Sequence, residues 1–103
     1  MHTLPASREA FRPATAYRAL ENPSRRRVLE VLRVRGAQTF DELADYLALS
    51  NLKLNYHLGL LEEAGLVRFR KTAGQALGER VVVFRPVGWA RMKKLWGDGM
   101  EEV

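Results

Sequence analysis

Residues 39–67 read TFDELADYLALSNLKLNYHLGLLEEAGLV, and this stretch decides the fold. It opens with a capping box, because Thr39 is followed three residues later by Glu42, a pair that marks the first turn of a helix. Apolar residues then recur at intervals of three and four, as they do on a helix with one core-facing side. They are Phe40, Leu43, Ala44 and Leu47. We therefore expect a short amphipathic helix at the start of this stretch.

A second helix is expected after a turn through Ala48 and Leu49. Ser50 can cap its start, and Gly65 can supply the left-handed residue that ends it. Its core-facing stripe has the same spacing as that of the first helix and consists of Leu54, His57, Leu58 and Leu61. Two short helices joined by about three residues form a helix-turn-helix.

Two further helices are predicted on the N-terminal side. Pro13 can occupy the first position of a short helix that carries Tyr17 and Leu20 on one side. Asn22 followed by Pro23 signals a second start. The apolar stripe of this second helix is Val28, Leu29, Val31 and Leu32. Its opening Ser-Arg-Arg-Arg puts three cations near a helix N-terminus, where the dipole disfavours them, and either a bound anion or solvent can relieve that conflict.

In the last third of the chain the residue pattern changes from that of helices to that of strands. Residues 66–70 and 80–85 are predicted strands, the second of them rich in valine. Residues 71–79 between them contain two glycines and are expected to form a long hairpin tip. Pro86 and Gly88 interrupt the second strand, and a final helix is expected after them. This order of elements predicts a winged helix-turn-helix, mainly α with a β-hairpin wing and a helical extension at each end.

Length and hydropathy bound the organisation of the chain. Its 103 residues suffice for one domain, expected at residues 13–97, with a flexible arm over 1–12 and an acidic tail over 98–103. The longest hydrophobic run, residues 81–84, is far shorter than the ~20 residues that a membrane helix needs. The first dozen residues do not resemble a signal peptide. We therefore expect a soluble cytoplasmic protein with no membrane partner.

The positive charge of the chain is concentrated in one part of it. The formal net charge is +5, yet residues 66–94 hold eight Lys and Arg against one acidic residue, so the remainder is slightly acidic. A segregated basic region is the electrostatic signature of a protein that binds a polyanion. For Arg91 and Lys94, simple exposure to solvent explains the presence of a charge as well as binding to a polyanion does. We predict contacts with phosphate or with the minor groove for the bases around the hairpin, which are Arg68, Arg70, Lys71 and Arg80.

The absence of cysteine excludes several kinds of chemistry. There are no disulfides, thiolate metal sites, iron–sulfur clusters or cysteine nucleophiles in a chain without cysteine. The histidines are His2 and His57, and His57 falls on a core stripe, where a packed histidine is more common than a metal ligand. No phosphate-binding glycine loop or paired-acid motif is present either. We expect no cofactor, no metal site and no catalysis.

The face of the second helix that points away from its core stripe has the chemistry of base readout. Asparagine can bond adenine bidentately, lysine reaches guanine or phosphate, and leucine can touch a thymine methyl group. On an arbitrary helix such residues are simply solvated, but this helix holds the second position of a helix-turn-helix. We therefore predict DNA contacts for this face. The predicted contact residues are Ser50, Asn51, Leu52, Lys53, Asn55 and Tyr56.

Gly59 lies on the same face as these residues. Glycine in the middle of a helix is unfavourable by about 1 kcal/mol. It can permit the close approach of a backbone, which could belong to DNA or to a neighbouring helix.

The final helix carries large apolar residues that need a surface to pack on. Each tryptophan brings about 150–250 Å² of surface, which is too much for a lone terminal helix to leave in water. The helix can fold back on its own domain, against Tyr17 and Leu20, or meet its copy across a two-fold axis. We favour the homodimer, with the two terminal helices as dimerisation helices. Its predicted interface is Tyr17, Leu20, Trp89, Met92, Leu95 and Trp96.

Three segments resemble the ArsR-type (arsenic-repressor-like) superfamily of winged helix-turn-helix regulators. They are NPSRRRVLEVL, TFDELADYLALS and LKLNYHLGLLEEAGLV, and the resemblance runs from about residue 20 to residue 84. It implies a homodimeric bacterial or archaeal transcription regulator. It also implies that Asn51 to Tyr56 enter the major groove of double-stranded DNA, that the hairpin at 71–80 lies on the backbone or minor groove, and that the first and last helices make the dimer.

The chain departs from the metal-sensing members of that superfamily. Those members use thiolates, or histidine and carboxylate groups, whereas this chain has no cysteine and two histidines. We therefore expect a regulator that does not sense a metal. The alternative is a winged-helix module that binds another protein or RNA and reads no DNA sequence.

Overall fold

A computed structural model describes residues 12–70 and 76–96 of the chain. The predicted N-terminal arm up to residue 11, Lys71 at the hairpin tip and the acidic tail lie outside these residues. The elements in chain order are α1 (Pro13–Leu20), α2 (Pro23–Arg35), β1 (Gln38–Thr39), α3 (Phe40–Leu47), α4 (Asn51–Glu63), β2 (Val67–Arg70), a short 3-10 helix (Leu77–Glu79), β3 (Val81–Phe84) and α5 (Pro86–Trp96). The predicted mainly helical winged helix-turn-helix is confirmed.

Side-chain caps fix the starts of α2, α3 and α4 where the sequence predicts them. The Asn22 side chain accepts a hydrogen bond from the backbone N–H of Ser24 at 2.8 Å. At α3 the Thr39 N–H donates to Glu42 Oε1 at 2.8 Å, and the Glu42 N–H donates back to Thr39 Oγ1 at 3.1 Å. Each such cap stabilises its helix by about 1 kcal/mol, so the boundaries of these helices are set locally.

The apolar stripes of α2, α3 and α4 meet in one core. The largest side chains of these stripes are fully buried. Among residues 12–70 and 76–96, no helix is long and apolar enough to span a membrane. Leu20 of α1 and Val82 of β3 complete the same cluster. The fully buried residues of the three stripes are Val28, Leu29, Leu32, Phe40, Leu43, Leu54, Leu58 and Leu61.

The sheet has one more strand than the sequence predicts. The expected hairpin is present, with β2 antiparallel to β3 and Arg70 opposite Val81. A third strand, β1, pairs with the other edge of β3, so that Gln38 lies opposite Val82. Two residues are too few to show an alternating pattern in the sequence, and β1 exists only because β3 is there to pair with it. The Phe40 N–H extends the pairing by donating to the Arg80 carbonyl at 2.9 Å.

Helix α5 begins earlier than predicted. It starts at Pro86, because proline fits the first position of a helix, and Gly88 lies inside its first turn rather than before it. Gly88 is buried, and a Cβ atom there would overlap the carbonyl oxygen of Gly65. The absence of a side chain at Gly88 therefore lets α5 lie directly against the end of α4.

This close approach folds α5 back on its own domain. Leu20 and Met92 are fully buried, and Trp89 is 6% exposed, with its ring centroid 5.9 Å from that of Phe84 and the Arg33 guanidinium 4.5 Å above it. Leu20, Trp89 and Met92, three of the predicted interface residues, are covered by the core of the same chain, as in the alternative in which the final helix folds back on its own domain. Of the other predicted interface residues, Tyr17 is half-buried against the core, Leu95 is 52% exposed, and the Trp96 side chain lies outside the described part.

We expect Gly88→Ala to destabilise the protein and Gly59→Ala to stabilise it. Alanine is the better helix former by about 1 kcal/mol at both positions. At Gly59 the new methyl group would meet nothing within 4 Å, whereas at Gly88 it must displace the Gly65 carbonyl, at a cost of about 1–3 kcal/mol. Urea unfolding measures both changes. A Gly88→Ala protein as stable as the wild type would show that α5 does not depend on this contact.

Candidate nucleic-acid interface

A tight turn sets the direction of α4 relative to α3. The turn has three residues, Ala48 to Ser50, between the end of α3 at Leu47 and the start of α4 at Asn51. Ala48 adopts the left-handed conformation with φ of 55° and ψ of 44°, which is uncommon for a residue with a side chain. The Leu49 N–H donates to the Ala44 carbonyl at 3.0 Å, and the Leu49 side chain packs against the core. The two helices are therefore held at a fixed angle.

The outer face of α4 is bare. Leu52 is 81% exposed and Tyr56 is 63% exposed, which are high values for large side chains with apolar surface. On the opposite face Leu54 and Leu58 are fully buried. Gly59 leaves an open depression of about 380 Å³ on the outer face, between Tyr56 and the carboxylates at the end of the helix. The predicted contact residues exposed on α4 are Asn51, Leu52, Lys53, Asn55 and Tyr56.

Ser50 differs from the rest of this set because its hydroxyl oxygen is already engaged. It caps α4 by accepting a hydrogen bond from the Lys53 N–H at 3.2 Å. The hydroxyl proton is not used in this bond, so Ser50 can still donate to a phosphate oxygen next to the helix N-terminus.

The wing follows directly from α4 and carries its arginines on the outside. The Leu66 N–H donates to the Leu61 carbonyl at 3.0 Å, which ties the first residue after the helix to its last turn. In β2 the side chains of Val67 and Phe69 pack on the core, so those of Arg68 and Arg70 alternate to the other face. Arg70 is exposed, whereas Arg68 and Arg80 are half-buried. Lys71 belongs to the segment outside the described residues.

Two of the three arginines at the start of α2 already bond to carbonyl oxygens of the protein. Arg25 Nε donates to the Ala19 carbonyl at 2.6 Å, and Arg26 Nη1 donates to the Leu20 carbonyl at 2.6 Å. Both acceptors lie in the last turn of α1, where the helix dipole is negative and the carbonyls lack helical partners. The end of α1 therefore relieves the conflict that these two cations create in α2. Arg27, the third cation of the run, is exposed.

His57 is packed against Arg25 of α2. Its Nδ1 lies 3.2 Å from Arg25 Nη1, and since a guanidinium can only donate, Nδ1 accepts and the ring proton sits on Nε2. Burial lowers the pKa of His57 below its usual value of about 6.5, and the positive charges of Arg25 and Lys53 lower it further. The ring is neutral when it makes this bond.

The sequence contains a signal for this pair that the apolar stripes alone do not show. Arg25 lies three, four and seven residues before buried residues of α2, so it occupies the same face as the core stripe. His57 lies three residues after Leu54 and four before Leu61, so it shares the buried face of α4. A polar residue on a buried stripe needs a hydrogen-bonding partner inside the protein, although the sequence does not say which one. The buried residues of α2 in register with Arg25 are Val28, Leu29 and Leu32.

Comparison with known proteins agrees with this geometry. A family model described as a helix-turn-helix domain matches residues 20–69. The crystal structure of an ArsR family transcriptional regulator is similar with a TM-score of 0.68 and 25% identity, over 85% of this chain and 91% of that one. The crystal structure of a possible transcriptional regulator for arsenical resistance is 31% identical, with a TM-score of 0.66 over 82% of this chain and 88% of the other.

A third structure shows that the fold extends beyond close sequence relatives. The crystal structure of a MarR family transcription regulator has a TM-score of 0.61 at 20% identity, over 87% of this chain and 59% of that chain. At this identity the likeness concerns the fold alone. No curated protein matches the chain in sequence.

The lowered pKa of His57 predicts a loss of stability in mild acid. In the unfolded chain His57 takes up a proton near pH 6.5, whereas the folded protein resists this, so the unfolded state binds more protons. The free energy of unfolding should therefore fall as the pH is lowered from about 7.5 to about 5.5. In His57→Asn the amide oxygen can still accept from Arg25 but does not titrate. Urea unfolding across this range should show a smaller fall for this variant, and equal falls would refute the assignment.

Proposed function

The chain belongs to the ArsR-type family of winged helix-turn-helix, DNA-binding transcription regulators, and on that premise we propose that it reads a specific sequence of double-stranded DNA as a homodimer. The observation that carries the proposal is the bare outer face of α4. Two large side chains, Leu52 and Tyr56, stand mostly in solvent there, beside amide and ammonium groups that suit base edges. A surface of this kind needs a partner.

In the proposed complex the first half of α4 enters the major groove. Asn55 and Lys53 contact base edges, Leu52 meets a thymine methyl group, and Tyr56 contacts phosphate or stacks. Ser50 and Asn51 lie at the helix N-terminus, where backbone N–H groups and the dipole favour a phosphate. The supporting geometry is the exposure of these side chains on a helix that the core holds rigidly from the other side.

The wing supplies contacts that do not depend on sequence. We propose that the hairpin at 71–80 lies on the backbone or in the minor groove, with Arg68, Arg70, Lys71 and Arg80 near phosphates. The concentration of eight bases and one acid in residues 66–94 supports this arrangement. The exposure of Arg70 on the outer face of β2 makes it the clearest member of the group.

The terminal helices are proposed to form the dimer, through a smaller set of side chains than the sequence predicts. Leu95 is half-exposed over an open depression of about 310 Å³ that Pro13 of α1 and two bases of α5 also line. This apolar patch joins the two terminal helices, and Tyr17 and Trp96 remain candidates for the interface. A two-fold dimer would present two copies of α4 to half-sites about one helical turn apart. The domain limits at 13–97, with an arm at 1–12 and a tail at 98–103, are kept in this proposal.

We further propose that the regulator works in the cytoplasm, performs no catalysis and does not sense a metal through thiolates. The relatives of the chain are transcription regulators, and the chain has no cysteine. His57, the histidine within the described residues, uses Nδ1 to accept from Arg25 and lies beside Lys53, so two cations oppose a bound metal ion there.

The proposal is tested by sequence selection and by the salt dependence of binding. A homodimer that touches about 6–10 phosphates should select one duplex from a randomised pool and lose about 10³–10⁵ in affinity between roughly 50 and 200 mM salt. A winged-helix module that binds a protein or RNA would select no duplex. Weak, sequence-independent binding that barely changes with salt would refute the regulator.

Substitutions on α4 and on the wing should have different effects. Asn55→Ala and Lys53→Ala should relax base preference by about 1–3 kcal/mol, because each removes a contact with a base edge. Arg70→Ala should weaken binding to the selected and to an unrelated duplex alike, because it removes a phosphate contact. Fluorescence anisotropy with both duplexes separates the two patterns. Equal losses on both duplexes for all three variants would remove Asn55 and Lys53 from base readout.

A lysine at Leu95 should separate the proposed dimer. It would place a charge in an apolar contact that Arg91 and Lys94 already flank, and two copies would face each other across the axis. The matched control is Val87→Lys, since Val87 is 59% exposed on the same helix but does not line the depression. Sedimentation equilibrium should show a monomer for the first variant and a dimer for the control. A wild type that is already monomeric, or an intact Leu95→Lys dimer, would contradict this interface.

A further inference from the structure

Arg25 joins three helices through one buried side chain. It is 8% exposed and is the charged residue that the described part of the chain buries. It belongs to α2, its Nε donates to the Ala19 carbonyl of α1, and its Nη1 donates to His57 of α4. Burying a charge is unfavourable unless it is paired and hydrogen-bonded, and these two acceptors satisfy part of that need. The end of α1 and the middle of α4 are therefore connected by directional bonds.

The connection reaches α4 at the part that the proposed function assigns to DNA. His57 directly follows Tyr56, and the two ring centroids are 5.6 Å apart. The other inward contacts of α4 are those of Leu54, Leu58 and Leu61, which are apolar and fully buried. Apolar packing is non-directional, whereas a hydrogen bond weakens steeply when its angle or length changes. The bond to Arg25 is thus a directional contact in the middle of α4 that adds to the packing in resisting rotation of the helix about its own axis.

We propose that Arg25 and His57 are positioning residues for DNA binding, which set the rotation of α4 relative to α1 and thereby the direction of Asn55 and Tyr56. This inference rests on the proposed function. A side chain ends about 5–6 Å from the axis of its helix, so a rotation of about 20° moves its tip by about 2 Å. Such a shift is larger than the range of lengths over which a hydrogen bond to a base edge forms.

Arg26 offers a matched control for Arg25. It is the next residue of the same helix, it carries the same charge, and it donates to the next carbonyl of α1, Leu20, at the same distance of 2.6 Å. This bond goes to α1, and α4 takes no part in it. Arg25→Met and Arg26→Met therefore each remove one positive charge and one bond to the end of α1. Only Arg25→Met also removes the bond to α4.

The experiment measures the affinity of four variants for two duplexes. One duplex is selected by the wild type from a randomised pool and the other is unrelated to it, and each protein is tested at a temperature at which circular dichroism shows it folded. Beside the two arginine variants, His57→Leu removes the acceptor while filling the space, and His57→Asn keeps an oxygen that can accept from Arg25. The two histidine variants keep the test valid if Arg25→Met does not fold.

Affinity for the selected duplex should separate the variants into two groups. Arg25→Met and His57→Leu should lose on the order of tenfold, the loss of about one base contact. On the unrelated duplex Arg25→Met should match Arg26→Met, which lacks the same charge, and His57→Leu should match the wild type. Arg26→Met and His57→Asn should keep the sequence preference of the wild type. The rescue by asparagine would show that the bond, rather than the volume of the ring, positions the helix.

Two results would overturn the inference. If Arg26→Met lost as much sequence preference as Arg25→Met, the hydrogen bond to the end of α1 or the positive charge would be responsible, and not the bond to His57. If His57→Leu bound the selected duplex as the wild type does, the bond would have no role in positioning.

A second measurement separates this inference from the proposed function. If the wild type selects no duplex, the proposed function fails, and amide NMR shifts of the free protein then decide about positioning. Arg25→Met should change the shifts of Asn55 and Tyr56, and Arg26→Met should leave them unchanged. Changes confined to α1 and α2 in both variants would refute the positioning role.

Discussion

The burial of Leu54, Leu58 and Leu61 holds the domain together around α4. All three are fully buried, and each contributes about 1.5–3 kcal/mol when it leaves water. Helices α1 and α2 and strand β2 pack against α4, and α3 contributes to the same core. One consequence is functional. A helix that is completely covered on one side is held rigidly, so its other side can present bare polar groups to a partner without loss of structure.

The polar contacts between the helices add direction to this packing. Arg25 and Arg26 lie at the positive end of α2 and donate to the negative end of α1, so the favourable interaction with α1 offsets the unfavourable one with α2. Arg25 also donates to His57 and thus connects the end of α1 to the helix whose outer surface we propose for DNA binding. A domain of this size buries only about two thirds of its surface, and a few directional bonds can therefore decide how its helices sit.

Local signals made most of the fold predictable. The capping box at Thr39, the caps at Asn22 and Ser50 and the spacing of the apolar stripes depend on neighbours within one turn, so they can be read from the sequence. The same holds for the exposed face of α4. Contacts between distant residues could not be read in this way. Strand β1 has two residues and no pattern of its own, and the packing of α5 depends on the approach of Gly88 to Gly65.

The sequence by itself determined the helices and the two strands of the hairpin, apart from the exact start of α5, as well as which face of α2, α3 and α4 is apolar and where the positive charge is concentrated. These properties follow from caps, periodicity and composition, all of which act over a few residues. Only the tertiary structure decided that Trp89 and Met92 pack on their own core, and that Arg25 meets His57 across 32 positions of the chain. The physical reason is that burial and buried hydrogen bonds depend on which surfaces meet in space. A pattern over a few residues does not determine which distant segment those residues will contact.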